Sequence, residues 1–399
     1  MSAVPVSAVP VSAVPVSAVT VSAVTGLSGP LLAVDPAAVA ANTRLLAGRT
    51  GAEVMAVVKA DGFGHGAVEV ARAALLGGAT SLGVTSIEEA LPLREAGLDV
   101  PLLSWLNPVG ADFATAVHAQ VELAVPSLEH LAAIARQGIG ARVHLHLDTG
   151  LARDGAAPAE WAALCRAARV AERAGRLRVV GVMGHLACAD EPGHPANAAG
   201  RLRFAWGLRV ARAAGLKPAA RHLAATAAAL TDPLSHHTLV RVGAGLVGID
   251  PTRDGAGSTL LRPAMTLTAP VVTVRRVRAG TPVGYGHTWT APAATTLGLL
   301  PLGYADGLPR AASGRAEVLL RGRRRPVVGR ISMDQVVVDL GEEEVRLGEV
   351  ATVFGPGDDG EPTAADWARW SDTLEHEVVT GLGARVHRVV ARSGLRSLA

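Results

Sequence analysis

Lysine and tyrosine are nearly missing from this chain of 399 residues. Only Lys59, Lys217, Tyr285 and Tyr304 occur, although Lys and Arg together number 38. Arginine therefore fills the places where a generic surface cation would do. A guanidinium keeps its proton in a protein and cannot form an imine, whereas a desolvated lysine amine can lose the one and form the other. The two cysteines, Cys165 and Cys188, supply no disulfide framework, which fits a reducing cytoplasm. Charge is scarce as well: 18% of residues are charged and the net charge is +3. The arginine clusters at 275–278 and 321–325 have no aromatics between them and form no broad basic stripe, which argues against nucleic acid. No uninterrupted apolar span is long enough for a membrane helix. The first cationic side chain is Arg44, so the cationic start of a secretory signal is absent.

What is present falls into three parts. Residues 2–25 repeat Ser-Ala-Val-Pro-Val about five times, with Thr for Pro in the last copies. Recurrent proline forbids a helix and nothing there can pack a core, so residues 1–28 are expected to be a disordered, low-complexity tail. From about residue 50, short apolar runs alternate with Ala-rich amphipathic stretches. Strands are expected at 54–59, 81–85, 101–105, 121–125, 142–147, 178–185, 220–224 and 239–243. Helices are expected between them, at 67–77, 87–96, 128–137, 159–174 and 201–214, several closed by a glycine such as Gly97, Gly138, Gly175 or Gly215. Eight such units predict an α/β fold, a (β/α)8 barrel over 29–262, with an open doubly wound sheet as the rival. After about residue 262 helical periodicity nearly vanishes. Runs at 268–277, 295–302, 317–320, 335–340 and 349–354 predict an all-β domain over 263–399, whose sheet residues 31–35 could join.

Barrel enzymes work at the carboxyl ends of their strands. Those ends carry Lys59 and His65, Asp148-Thr-Gly-Leu-Ala-Arg153, His185, His222-Leu-Ala-Ala-Thr226 and Arg241-Val-Gly-Ala244. A lysine on the first strand, small hydroxyl and glycine residues on the last two for a phosphate, and an arginine beside them suggest pyridoxal phosphate held as an imine. No spacing argues for a metal site.

Four motifs in order, Ala56-Val-Val-Lys-Ala-Asp-Gly-Phe-Gly-His-Gly66, Asp148-Thr-Gly-Leu-Ala-Arg153, Gly284-Tyr-Gly-His-Thr288 and Gly329-Arg-Ile-Ser-Met-Asp334, resemble those of the alanine racemase family. The likeness covers roughly residues 30–392. It implies a cytoplasmic, pyridoxal-phosphate-dependent isomerase, a homodimer with shared active sites, interconverting L- and D-alanine for cell-wall precursors. Lys59 would carry the cofactor and be the base on one face of the substrate, and Tyr285 from a second subunit the base on the other. Racemisation needs a proton removed from one face of Cα and another delivered to the opposite face, hence two bases. The resemblance further implies that Arg241 contacts the pyridine nitrogen and that His185 stacks near the ring and bonds Tyr285 or Arg241. Arg153 and the backbone of Met333 would hold the substrate carboxylate, Thr226, Gly243 and Ala244 the phosphate. Tyr304, Asp306, Arg310 and Asp190 match the entrance corridor. An ordinary phenol titrates near ~10, so Tyr285 would need cationic neighbours such as His185 and Arg241.

Four positions depart from the family pattern. Phe63 and His376 stand where tyrosines contact the phosphate, His146 where a lysine braces the arginine corresponding to Arg153, and Ala225 where an asparagine adjoins the phosphate. His65, His144, His236 and His237 read as structural. A racemase of another small amino acid such as serine, and a non-catalytic cofactor-binding paralogue, are the competing readings.

Overall fold

The computed structural model describes residues 29–137, 139–252 and 260–391. The expected repeat tail and the Gly138 cap lie outside them. Eight parallel strands form the barrel: with β1 (Leu31–Val34) preceding them, these are β2 (Glu53–Val57), β3 (Ser81–Val84), β4 (Leu102–Ser104), β5 (Val121–Val125), β6 (Ala141–His146), β7 (Leu177–Met183), β8 (Ala220–His222) and β9 (Leu239–Val242). They pair in the order β8-β7-β6-β5-β4-β3-β2-β9. The gap between β8 and β9 is bridged at its ends, where Arg241 N–H donates to Ala224 O at 3.0 Å and Thr238 N–H to Arg221 O at 3.2 Å. Most strand residues are buried and apolar on both faces because helices cover the outside and side chains fill the inside. The open-sheet rival is thereby set aside.

The helices Ala67–Leu76, Ile87–Glu95, Leu128–Gln137 and Pro158–Arg173 fall where the periodicity places them. Pro195–Ala213 starts six residues earlier than expected, because Pro195 occupies its first turn, where a missing N–H costs nothing. The helix Pro36–Thr50 was not anticipated. Asp35 caps it and Pro36 opens it, and it packs where the eighth barrel helix would lie, since only the 3-10 turn Ala244–Val247 follows β9. Buried Asn42 ties the two, accepting from Arg262 N–H at 2.8 Å and donating to Leu246 O at 3.1 Å and Arg262 O at 2.8 Å.

The second half is mostly strand: β10 (Met265–Pro270), β11 (Thr273–Val277), β12 (Pro282–Val283), β13 (Trp289–Thr290), β14 (Thr295–Leu300), β15 (Glu317–Leu320), β16 (Arg323–Val328), β17 (Val336–Gly341), β18 (Val350–Phe354) and β19 (His387–Val390). Nine strands form one sheet, in which β1 lies between β10 and β19. The arginine cluster at 321–325 belongs to the β15–β16 hairpin, with Arg321 and Gly322 both at positive φ in its turn. Two short helices, Ala364–Ser371 and Glu375–Thr380, interrupt the strand pattern, and the second reaches the barrel mouth. Among the described residues no helix is long and apolar enough to cross a membrane.

Candidate active site

A cavity of about 600 Å³ opens at the carboxyl ends of the barrel strands. Lys59 enters it two residues past the end of β2, after the buried run Val54–Val58. The chain then coils the wrong way: Ala60, Asp61, Gly62 and Phe63 have φ of +51°, +52°, +64° and +58°. For the three with side chains this conformation costs of order 1–3 kcal/mol each. It is held from three sides. Glu89 Oε1 accepts from Ala60 N–H at 2.8 Å, Asp61 Oδ1 accepts from Ala67 N–H at 2.9 Å, and Asp61 Oδ2 pairs with Arg388 of β19 at 2.5 Å. A Cβ on Gly64, at φ +78°, would stand 2.3 Å from Val379 O, so the turn closes tightly against the second half of the chain. Burial, then the charge of Arg153, holds the Lys59 amine below the usual lysine range, while Glu89 pulls it back up.

The loop after β6 brings in Arg153. Asp148 Oδ1 accepts from the N–H groups of Gly150, Leu151 and Ala152 at 2.8, 3.0 and 3.2 Å and so shapes the turn. Thr149 Oγ1 ties it to the end of β7, donating to His185 O at 2.6 Å and accepting from His185 N–H at 3.1 Å. His146 Nδ1 stands 3.3 Å from Asp154 Oδ2 without the alignment of a hydrogen bond.

Arg241 rises from β9 into the cavity wall. Its Nη1 donates to His222 O at 2.9 Å, and its Nη2 to Gly184 O at 2.7 Å and His185 Nδ1 at 3.2 Å. Burial pushes the guanidinium down to about 10, so it stays charged at neutral pH. His185 is pushed down to about 3, by burial first and then by Arg241 and Arg153. The expectation that His185 serves as a cationic neighbour is thereby corrected: it is neutral, and Arg241 is the fixed charge.

Thr226, Gly243 and Ala244 meet at one wall. Thr226 Oγ1 accepts from the N–H groups of Gly243 and Gly245, each at 3.3 Å. The helix from Thr226 and the 3-10 turn from Ala244 both open there without a side-chain cap. Backbone N–H groups at such openings lack intrahelical partners and suit an anionic oxygen. A Cβ on Gly243 would stand 2.7 Å from the Phe63 ring. Phe63 and His376 face each other with ring centroids 6.0 Å apart, and burial followed by the Lys59 charge lowers the pKa of His376. A lysine of lowered pKa, two helix openings without side-chain caps and a permanent cation in one cavity fit pyridoxal phosphate.

Lys59, His185, Thr226, Arg241, Gly243, Ala244, His376 and Arg153 all line this cavity. Tyr285 and Met333 do not. Both stand on the second half of the chain, 72% and 53% exposed. Sequence reasoning overlooked Thr85, Trp105 and Asp154 in the lining, and Glu89 behind the lysine turn. Glu89 had a signal, the Ser86-x-x-Glu89 helix start. Ser86 does cap that helix, but Glu89 turns its carboxylate to Thr85 and Ala60.

Models of the alanine racemase N-terminal and C-terminal domains match residues 34–251 and 264–390. The alanine racemase of Thermobifida fusca is 50% identical over 361 residues, covering 89% of this chain and 96% of that protein. The one from Streptomyces coelicolor is 49% identical over 368 residues, covering 89% and 94%. The crystal structure of alanine racemase from D-cycloserine-producing Streptomyces lavendulae superposes with a TM-score of 0.88 at 43% identity, covering 92% of this chain and 98% of the other. The Streptomyces coelicolor A3(2) structure gives 0.87 at 46% identity, covering 92% and 98%. The chain belongs to the alanine racemase family.

Proposed function

We propose that the protein is a pyridoxal-phosphate-dependent alanine racemase, acting as a cytoplasmic homodimer whose two active sites are shared between subunits. The observation that carries this is the cavity in which Lys59, Arg153 and Arg241 converge. The bound cofactor would supply the electron sink that lets the Cα–H bond of an amino acid ionise. Lys59 would hold it covalently, and its released amine would move a proton at Cα. The lowered pKa of that amine favours the neutral form both tasks need. Arg241 would face the pyridine nitrogen. Because a guanidinium donates hydrogen bonds and keeps its proton, it would leave that nitrogen unprotonated, which would temper the sink and discourage side reactions. Arg153 would orient the substrate carboxylate, with the backbone of a second copy's Met333 assisting. The N–H groups around Thr226, Gly243 and Ala244 would hold the phosphate, with His376 beside them. A second copy's Tyr285 would serve the other face of Cα. Purified protein supplied with cofactor should convert L-alanine to the racemate in a chiral assay against a panel of L-amino acids. Turnover of another amino acid in preference to alanine would overturn the substrate assignment.

Phe63 bears on how firmly the cofactor is held. It is buried beside Gly243 and offers no hydrogen bond. A hydrogen bond to a charged group contributes about 1.5–3 kcal/mol, so Phe63→Tyr should tighten cofactor retention by one to two powers of ten on that scale. His376 starts below its ordinary pKa, and a bound dianion would raise it. Its contribution to binding is therefore complete below the free-state pKa and is lost as pH rises through the bound-state value. Equilibrium dialysis should show the wild type losing cofactor more readily at high pH. Unchanged affinity in Phe63→Tyr, with pH-independent retention, would refute this account of the clamp.

A further inference from the structure

A line of buried polar groups runs down the inside of the barrel from the cavity, and beyond Arg241 nothing in the mechanism above uses it. Arg241 Nη1 lies 3.1 Å from His222 Nδ1, His222 Nε2 lies 2.8 Å from His144 Nδ1, and His144 Nε2 lies 2.7 Å from Glu122 Oε2. The second carboxylate oxygen accepts from Arg142 Nε at 2.7 Å. Glu122 and Arg142 line a separate hollow toward the amino ends of the strands, so the line spans the barrel from one mouth to the other. Arg241, His222, His144 and Glu122 are all at most 6% exposed, so solvent cannot replace a missing partner. β5, β6, β8 and β9 each supply one member. β7 supplies a gap: a Cβ on Gly181 would stand 2.0 Å from His144 Nδ1. Only glycine there lets the two imidazoles meet across the strand between them.

The ends of the line dictate every proton in it. A carboxylate only accepts and a guanidinium only donates. His144 therefore donates from Nε2 to Glu122 and accepts at Nδ1. His222 donates from Nε2 to His144 and accepts at Nδ1 from Arg241. This is the one arrangement that satisfies all four groups, and it requires both imidazoles to be neutral. A proton added to either ring would point N–H at N–H. Burial first, and then the charge of Arg241, drives His222 well below its usual pKa, in agreement with this. On Glu122 burial acts upward, but the hydrogen bonds from His144 and Arg142 and the charge of Arg142 outweigh it and keep the carboxylate ionised. The line is not a proton wire, because Arg241 does not release its proton.

We propose that Glu122 is a positioning residue for racemisation: through the fixed tautomers of His144 and His222 it sets the orientation of the Arg241 guanidinium. The inference rests on the reading of Arg241 at the cofactor nitrogen. Without the anion, either histidine can reverse its tautomer, and the bond from Arg241 Nη1 to His222 Nδ1 is lost with it, leaving the guanidinium held by backbone carbonyls that do not fix its tilt against the imidazole.

Neutron diffraction from holoenzyme crystals locates the protons directly. His144 and His222 should both carry hydrogen on Nε2 alone. Glu122→Gln keeps the shape but adds a donor and removes the charge, so its histidines should show mixed tautomers. Its kcat should fall roughly ten- to a hundredfold, the loss that a small misplacement near the reacting centre produces, with KM for alanine little changed and the cofactor absorption band shifted. A wild-type His144 or His222 protonated on Nδ1, or on both nitrogens, overturns the proposal, and this measurement stands even if Glu122→Gln fails to fold. Wild-type kcat and spectrum in folded Glu122→Gln overturn it equally. Failure of the wild type to racemise alanine would instead strike the functional reading and leave the proton positions to be judged separately.

Discussion

Lys59→Ala should abolish racemisation, a fall of at least about 10³–10⁴-fold if the residue is both tether and proton carrier. The case rests on chemistry that no neighbour can replace. Only one other lysine exists in the chain, Lys217, and it is not among the residues that line the cavity. Lys59 stands at the end of a buried strand, its amine held below the usual range by burial and by Arg153. Its backbone turn is clamped by Glu89, Asp61 and Arg388. Removing the side chain should leave that clamp, and hence the fold, in place, so the variant should melt near the wild-type temperature while losing the imine absorption. Borohydride reduction of the wild type should fix the cofactor to the peptide containing Lys59. A label on Lys217 would sink the assignment.

Tyr285→Phe should cost about 10²–10⁴-fold, the range for loss of a general acid–base group. The structure makes this prediction unusual, since the phenol is exposed and lies outside the cavity of its own chain. It sits on the short turn Tyr285–His287 between β12 and β13, with Gly284 and Gly286 both at φ +71°. Space beside Gly286 is occupied by Arg330, whose guanidinium nitrogens would stand 3.1 and 3.4 Å from an added Cβ. Such a turn holds the ring outward, available to another molecule. If a second copy receives it, mixed subunits of Lys59→Ala and Tyr285→Phe should regain activity. Random exchange in a two-fold dimer leaves about a quarter of the sites intact. In deuterated solvent Tyr285→Phe should still exchange the α-proton of D-alanine while exchange from L-alanine collapses. Verified subunit exchange without returning activity would refute the shared site.

Local patterning is readable wherever a short stretch of chain contains the whole cause. Eight apolar runs spaced by amphipathic segments specify eight strands and five of the helices among them, because period and length are properties of the stretch itself. The strand ends then name Lys59, Arg153, His185, Thr226 and Arg241, since chain direction alone decides which end of a parallel strand faces the barrel mouth. The bonds that join Glu122, His144 and His222 were beyond that reach. His144 bonds to partners 22 and 78 positions away, and the room for the second bond comes from Gly181 on a third strand. The left-handed turn after Lys59 depends in the same way on Arg388, 327 residues distant. His376 was legible as a departure from a motif, but its contact with Phe63 follows from the packing of the last helices on the barrel mouth. Tyr285 was legible as chemistry, yet only the folded chain shows that it stands outside its own cavity. Side-chain identity and strand direction are written along the chain. Burial, tautomer and charge partner are set by groups that meet only after the barrel closes.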